Sequence, residues 1–140
     1  MFGCQSTDPG KVTLTITVPN KGQLIATDLK HEKYKLNLAP NEKWTLMADY
    51  YVGFVRAFET FSQLFLKQSD NTWLVSGLPI SVSDAPQYLW RGLMIDTSRH
   101  FLDVDTIKRA IDGMVYLKLN VLHWHIVDED SFPMYVPTVP

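Results

Sequence analysis

At 140 residues the chain has room for one ordinary domain or two small ones and falls well short of the roughly 250 residues of a closed eight-stranded α/β barrel. With 46% hydrophobic and 20% charged residues it has the composition of a core-forming chain, not a disordered or fibrous one. Its 13 Lys and Arg against 15 Asp and Glu give a net charge of -2 and no basic footprint, which argues against nucleic acid or an anionic membrane as partner.

The single cysteine, Cys4, cannot close an internal disulfide and is too few for a Cys-rich zinc site. No run approaches 18 consecutive apolar residues, so no membrane span is expected. The opening MFGCQSTDPG shows neither the basic nor the apolar region of a signal peptide. Any targeting segment is therefore expected upstream of this start or already removed. Residues 1–10 read as a flexible lead-in closing on an Asp8-Pro9-Gly10 turn.

The run KVTLTITV alternates strictly, with Val12, Leu14, Ile16 and Val18 on one face, and predicts a half-buried strand. After a Pro19-Asn20-Lys21-Gly22 turn come a short LIAT strand and a second alternating one through Tyr34, Leu36 and Leu38, closed by Ala39-Pro40-Asn41. Between Met47 and Lys67 the period changes. Tyr51, Phe54, Val55, Phe58, Phe61, Leu64 and Phe65 recur at three- and four-residue steps opposite Arg56, Glu59, Gln63 and Lys67, which predicts an amphipathic helix. Its aromatic stripe reads as the core-facing side of a helix covering a sheet, with a ligand platform as the alternative. Trp73–Val75 and Pro79–Val82 read as strand ends around Ser76-Gly77, and residues 11–84 become a small α+β domain.

Asp84-Ala85-Pro86 marks a boundary. Beyond it, in residues 90–140, the apolar run Leu93–Ile95 ends at Asp96-Thr97-Ser98-Arg99-His100. Ile107, Ile111, Met114 and Leu117 mark a second amphipathic helix from Val104, with Asp103 or Asp105 at its start and Asn120 as its stop. The run VLHWHIVD follows, apolar except for its histidines and final acid. Strand, helix, strand is a βαβ unit whose two strands should be parallel. Both end in polar clusters, at the carboxyl ends where α/β folds place their ligand sites.

Arg99 follows the first of these strands directly. Its planar fork suits a pair of sugar hydroxyls or a carboxylate, and an ion pair with Asp96 or Asp103 holding the loop is the equal alternative. Arg91, at the opposite end of that strand, reads as structural. His123 and His125 form an H-x-H with three readings: a metal pair, hydrogen-bonded structural histidines, or a role at or behind a site. Ile126, Val127 and Asp128 are expected to continue the strand, leaving the histidines deeper. Asp128 then reaches the carboxyl end, with Glu129 and Asp130 as a loop face or helix cap. Trp124 is a candidate sugar-stacking ring, but reads better as packing on a buried strand.

The run from Trp90 to Pro133, WRGLMIDTSRHFLDVDTIKRAIDGMVYLKLNVLHWHIVDEDSFP, resembles the opening of the catalytic barrel of the beta-N-acetylhexosaminidases, glycoside hydrolase family 20. Upstream, ETFSQL (Glu59 to Leu64) and Asp84-Ala85-Pro86-Gln87-Tyr88 resemble the non-catalytic α/β domain that precedes that barrel. The resemblance implies an α/β chain: a small α+β domain, then the truncated βαβ start of a (β/α)8 TIM barrel. It implies that Arg99 binds hydroxyls of the terminal sugar and that Asp128 belongs to a hydrogen-bonded network reaching the catalytic acid through a histidine of a later strand. His125 is then a nearby supporting residue, and Arg91 and Asp96 are structural. No metal and no cofactor are implied.

The activity so implied is hydrolysis of terminal β-linked N-acetylglucosamine or N-acetylgalactosamine from glycans or glycoconjugates, with retention and by substrate assistance. The family's catalytic Asp-Glu pair belongs to a later strand. Glu129 and Asp130 are not that pair, so the 140-residue chain by itself is expected to be inactive. A barrel stopped after its second strand leaves an open edge, which favours a fragment of a longer product, with a non-enzymatic carbohydrate-binding or structural remnant as the alternative. A lysosomal, vacuolar or extracellular setting and a homodimer at full length are implied by the resemblance alone.

Overall fold

A computed structural model of the chain describes residues 13–20, 31–40, 43–129 and 137–138. The predicted lead-in over residues 1–10, the LIAT strand, Asp130 and Pro133 lie outside the described residues. The chain divides into two units, Met1–Gln87 and Tyr88–Pro140.

In the first unit, β1 (Leu14–Thr17), β2 (Tyr34–Leu38), β3 (Trp44–Ala48) and β6 (Ile80–Asp84) form one sheet in the order β1-β3-β2-β6. β1 runs parallel to β3, and β2 runs antiparallel to both β3 and β6. Alternation at β2 buries Tyr34, Leu36 and Leu38 and leaves Lys35 and Asn37 outside. With Leu46, Ala48 and Ala57 they form the core, flanked by Leu14, Trp44, Phe54, Phe61, Leu64, Leu78, Ile80 and Val82. Ile16 shares the face of Leu14 in the sequence pattern but is 47% exposed, because β1 is an edge strand. A separate short ribbon pairs β4 (Leu66–Lys67) with β5 (Trp73–Leu74).

The helix differs from its prediction at both ends and in its buried face. α1 runs Tyr51–Gln63; Met47 and Ala48 belong instead to β3, a strand that periodicity misses, and Leu66 and Lys67 to β4. Its fully buried residues are Gly53 and Ala57, not the rings. A Cβ on Gly53 would stand 2.6 Å from the Lys33 carbonyl oxygen and 3.2 Å from the Ala48 Cβ, so the helix backbone lies close against the chain entering β2. Bulky side chains cannot occupy such an approach. The aromatic stripe is therefore displaced to the flank, where Tyr51, Phe54, Phe58, Phe61 and Phe65 touch in series and Trp44 joins at the end. Phe54 and Phe61 reach the core, while Phe58 is 48% exposed. Arg56 also departs from the predicted solvent face: it is nearly buried and ion-paired with the buried Glu32.

In the second unit β7 (Gly92–Asp96) pairs in parallel with β8 (Val121–His125), joined through α2 (Val104–Tyr116). Asp103, not Asp105, caps α2: its carboxylate accepts from the Thr106 backbone N–H at 2.7 Å and hydroxyl at 2.9 Å. The helix closes before Asn120, because Lys118 turns to a φ of 56° and the Leu119 N–H bonds back to the Met114 carbonyl at 2.8 Å. Asn120 serves instead as a clamp, accepting from the Arg91 N–H at 2.9 Å and donating to the Leu89 carbonyl at 2.7 Å. Of the predicted apolar stripe, Ile107 and Met114 are buried, whereas Ile111 and Leu117 are exposed. Ile95 is the buried strand residue, and Met94 on the opposite face is open. β8 ends at His125, three residues before Asp128, so the predicted continuation of the strand does not occur.

Two outcomes follow from this packing. Gly53→Ala should lower stability by about 1–3 kcal/mol, because the obstructing atom is a backbone oxygen, whereas Gly113→Ala, which meets nothing within 4 Å, should raise it by about 0.5–1 kcal/mol. Chemical denaturation of both variants measures the contrast. In hydrogen exchange, the amides of β2, bonded on both sides, should outlast those of β8, whose sheet has two strands; equal or greater protection of Val121–His125 would contradict this.

Candidate functional site

Parallel register sets Asp96 opposite His125 at the carboxyl ends of β7 and β8. Residues paired across a sheet share a face, so Asp96 and His125 project from the same side as Met94 and His123. Beyond this pair the two strand ends part. On the β7 side the Asp96 carboxylate accepts from the backbone N–H groups of Ser98 at 2.9 Å and Arg99 at 3.1 Å, which bends the chain immediately after the strand. The same bonds, led by that from Arg99, hold the Asp96 carboxyl below its usual range. On the β8 side the chain continues through Ile126 and Val127 to Asp128.

The side chains of the two branches meet again. Arg99 Nη1 lies 2.6 Å from Asp128 Oδ2, 3.7 Å from Asp96 Oδ2 and 2.9 Å from His125 Nε2. His125 Nε2 is itself 3.1 Å from Asp128 Oδ2. One ring nitrogen cannot serve both neighbours as the same species: unprotonated it accepts from Arg99, and protonated it donates to Asp128. Asp128 is the anchor of the group. Its carboxyl is lowered from 3.8 to about 2, first by the Glu129 backbone N–H, 2.7 Å away, then by hydrogen bonds from Arg99 and His125 and the charge of Arg99. This carboxylate stays ionised down to strongly acid solution.

Arg99, Asp96, His125 and Asp128 are thus brought together. Of the two acids proposed as ion-pair partners of Arg99, Asp103 is the cap of α2 and Asp96 is the more distant contact; Asp128, 29 residues away, is the close one. Every side-chain contact of Arg99 falls on Nη1, so Nε and Nη2 have no protein partner among the described residues, and the side chain is 59% exposed. Arg91 is not part of the cluster. At the opposite end of β7 it donates to the carbonyls of Lys118 at 3.0 Å and Tyr88 at 2.6 Å.

His123 is exposed and stands mid-strand opposite Met94. Among the described residues no three His, Cys, Asp or Glu side chains gather as a metal would require. Trp124 is 41% exposed, not buried, and its indole donates to the Thr97 hydroxyl at 3.0 Å. Sequence reading passes over Thr97, which is 2% exposed, and Asn120 as a clamp, since their partners lie on elements distant in sequence.

Residues 88–140 match the model of glycosyl hydrolase family 20, catalytic domain, and residues 5–64 that of a beta-acetyl hexosaminidase like domain. Beta-hexosaminidase subunit B1 of Dictyostelium discoideum is 40% identical over 129 residues, covering 91% of this chain and 23% of that protein. Beta-hexosaminidase 1 of Arabidopsis thaliana is 47% identical over 100 residues, 69% of this chain and 18% of its own. Among solved structures, Flavobacterium johnsoniae chitobiase superposes with a TM-score of 0.68 at 32% identity, over 95% of this chain and 19% of that one. The exo beta-N-acetylglucosaminidase of Vibrio harveyi in complex with N-acetylglucosamine gives 0.70 at 26% identity, over 91% and 19%. The chain belongs to glycosyl hydrolase family 20. It spans about a fifth to a quarter of the length of the curated relatives it matches.

The cluster has a defined acid limit. Asp128 titrates lower in the folded chain than in the unfolded one, so its contribution to stability is complete above about 3.8 and is lost as pH falls through about 2. Carbon NMR of the Asp128 carboxyl should give a midpoint near 2. Arg99→Ala should raise that midpoint without restoring the usual value, since the Glu129 N–H remains.

Proposed function

We propose that the protein carrying this chain hydrolyses terminal, non-reducing β-linked N-acetylhexosamine residues of glycans or glycoconjugates, and that the end of β7 and β8 forms part of its sugar site. The observation that supports this most is the disposition of Arg99. Asp128 fixes the guanidinium through Nη1, while Nε and Nη2 are left to donate to paired hydroxyls, at the carboxyl end of parallel strands in a stretch matching a catalytic domain. Asp128 and His125 then support both the arginine and the acid machinery behind it. Arg91 and Asp96 hold the strand ends.

Retention by substrate assistance follows from the resemblance. The 2-acetamido oxygen attacks the anomeric carbon, an aspartate orients that group, and a neighbouring glutamate protonates the leaving oxygen and then activates water. Those two carboxylates belong to a later strand, so Glu129 and Asp130 take neither part, and the 140-residue chain by itself does not turn over substrate. The same resemblance supports a lysosomal, vacuolar or extracellular setting and a homodimer of the whole protein. Among the described residues no helix is long and apolar enough to cross a membrane.

Steady-state hydrolysis of an aryl N-acetyl-β-glucosaminide across pH tests the reading. Arg99→Lys keeps the charge and removes the fork, and charged hydrogen bonds of this kind are worth about 1.5–3 kcal/mol each, so kcat/KM should fall about tenfold or more. Asp128→Asn should lower the rate and also distort the pH profile. An Arg99→Lys variant with wild-type kcat/KM and a sharply lowered Tm would make Arg99 a loop-holding residue only.

A further inference from the structure

We infer that Thr97 is the positioning residue of the ionic cluster: its hydroxyl pins the point where β7 and β8 part, and that pin sets the Arg99 guanidinium against the Asp128 carboxylate. The last ladder pair is Asp96 opposite His125. One residue further, the Thr97 backbone N–H donates to the His125 carbonyl at 3.0 Å. Its hydroxyl donates to the next carbonyl, that of Ile126, at 2.8 Å and accepts from the Trp124 indole at 3.0 Å. A single buried residue thus extends the strand pairing past its end by giving two successive carbonyls of the β8 branch a donor each.

The geometry beyond the pin is symmetric. Arg99 lies two residues past Thr97, Asp128 two residues past Ile126, and the two side chains close at 2.6 Å. Between them the β7 branch is bent by the Asp96 carboxylate, and the β8 branch is drawn back by the Glu129 N–H on Asp128. Neither of these bonds links one branch to the other. Among the described residues, the tie nearest the cluster that does, apart from the cluster's own contacts, is Thr97. The neighbouring Ser98 hydroxyl offers no substitute, being buried without a hydrogen-bond partner among the described residues. Removing the Thr97 hydroxyl would also leave the Ile126 carbonyl and the Trp124 indole short of a partner, which favours a shift of the 126–128 segment.

For its effect on turnover the inference rests on the proposed function; for its geometry it does not. Asp128 is therefore titrated by carbon NMR in the 140-residue chain as wild type, Thr97→Val and Thr97→Ser. Thr97→Val preserves shape and removes the hydroxyl, and should raise the Asp128 midpoint by about one unit as Arg99 and the Glu129 N–H lose registry. Thr97→Ser keeps the hydroxyl and should hold the wild-type midpoint. In the protein carrying the chain, Thr97→Val should lower kcat/KM about 10- to 100-fold with recovery in Thr97→Ser. An unmoved midpoint in Thr97→Val, an equal rise in Thr97→Ser, or outright unfolding of Thr97→Val would each overturn the inference, since a positioning residue leaves the fold standing while the cluster loosens. An inactive wild-type protein would remove the proposed function and leave the titration result as it is.

Discussion

Parallel pairing of β7 with β8, in the register that sets Asp96 opposite His125, is the constraint on which the cluster depends. Parallel strands need a crossover, and α2 supplies it, started by the Asp103 cap and stopped by the left-handed turn at Lys118. At the far end Asn120 and Arg91 lock the return strand to the first by three hydrogen bonds that involve both side chains. With that end fixed, the carboxyl ends can differ only by how they diverge. A slip of one residue would turn His125 to the opposite face and separate it from Asp96 and Arg99.

The electrostatics of the cluster follow from this placement. Backbone N–H groups, that of Arg99 on Asp96 and that of Glu129 on Asp128, lead in keeping both carboxylates ionised and the guanidinium charge adds to them, while the carboxylates in turn hold one nitrogen of the guanidinium and its other donors stay open. The exposed pair adds little to stability, because solvent screens it. Its value lies in orientation: an arginine with a fixed Nη1 presents its remaining N–H groups in a set direction. His125 joins the two, its Nε2 facing the guanidinium and the carboxylate together.

The first unit solves a different problem, that of seating one helix on a four-stranded sheet. Close approach is bought with small residues at Gly53 and Ala57, and the rings then run along the flank, partly open. Among the described residues of this unit the buried polar side chains find partners. Glu32 meets Arg56, and the Tyr34 hydroxyl lies between the Thr60 hydroxyl and the Asp84 carboxylate, at 2.7 and 2.8 Å.

What the sequence by itself determined was local. Alternation at Tyr34, Leu36 and Leu38, the strand–helix–strand order after Pro86 and the polar residues at both strand ends are written in spacing, because period and turn chemistry are properties of neighbouring residues. The family resemblance was carried by the same contiguous run. Only the tertiary structure decided that Gly53 and Ala57 are the fully buried residues of α1 while Phe54 and Phe61 reach the core from the flank, that Arg56 is drawn into a pair with Glu32, that β8 stops at His125, and that Arg99 closes on Asp128 across 29 residues of chain. Thr97 shows why: its sequence neighbours mark it as a turn residue, while the indole and carbonyl that fix its role arrive from β8 and the residue just past it, 27 and 29 residues later, a distance over which no local pattern extends.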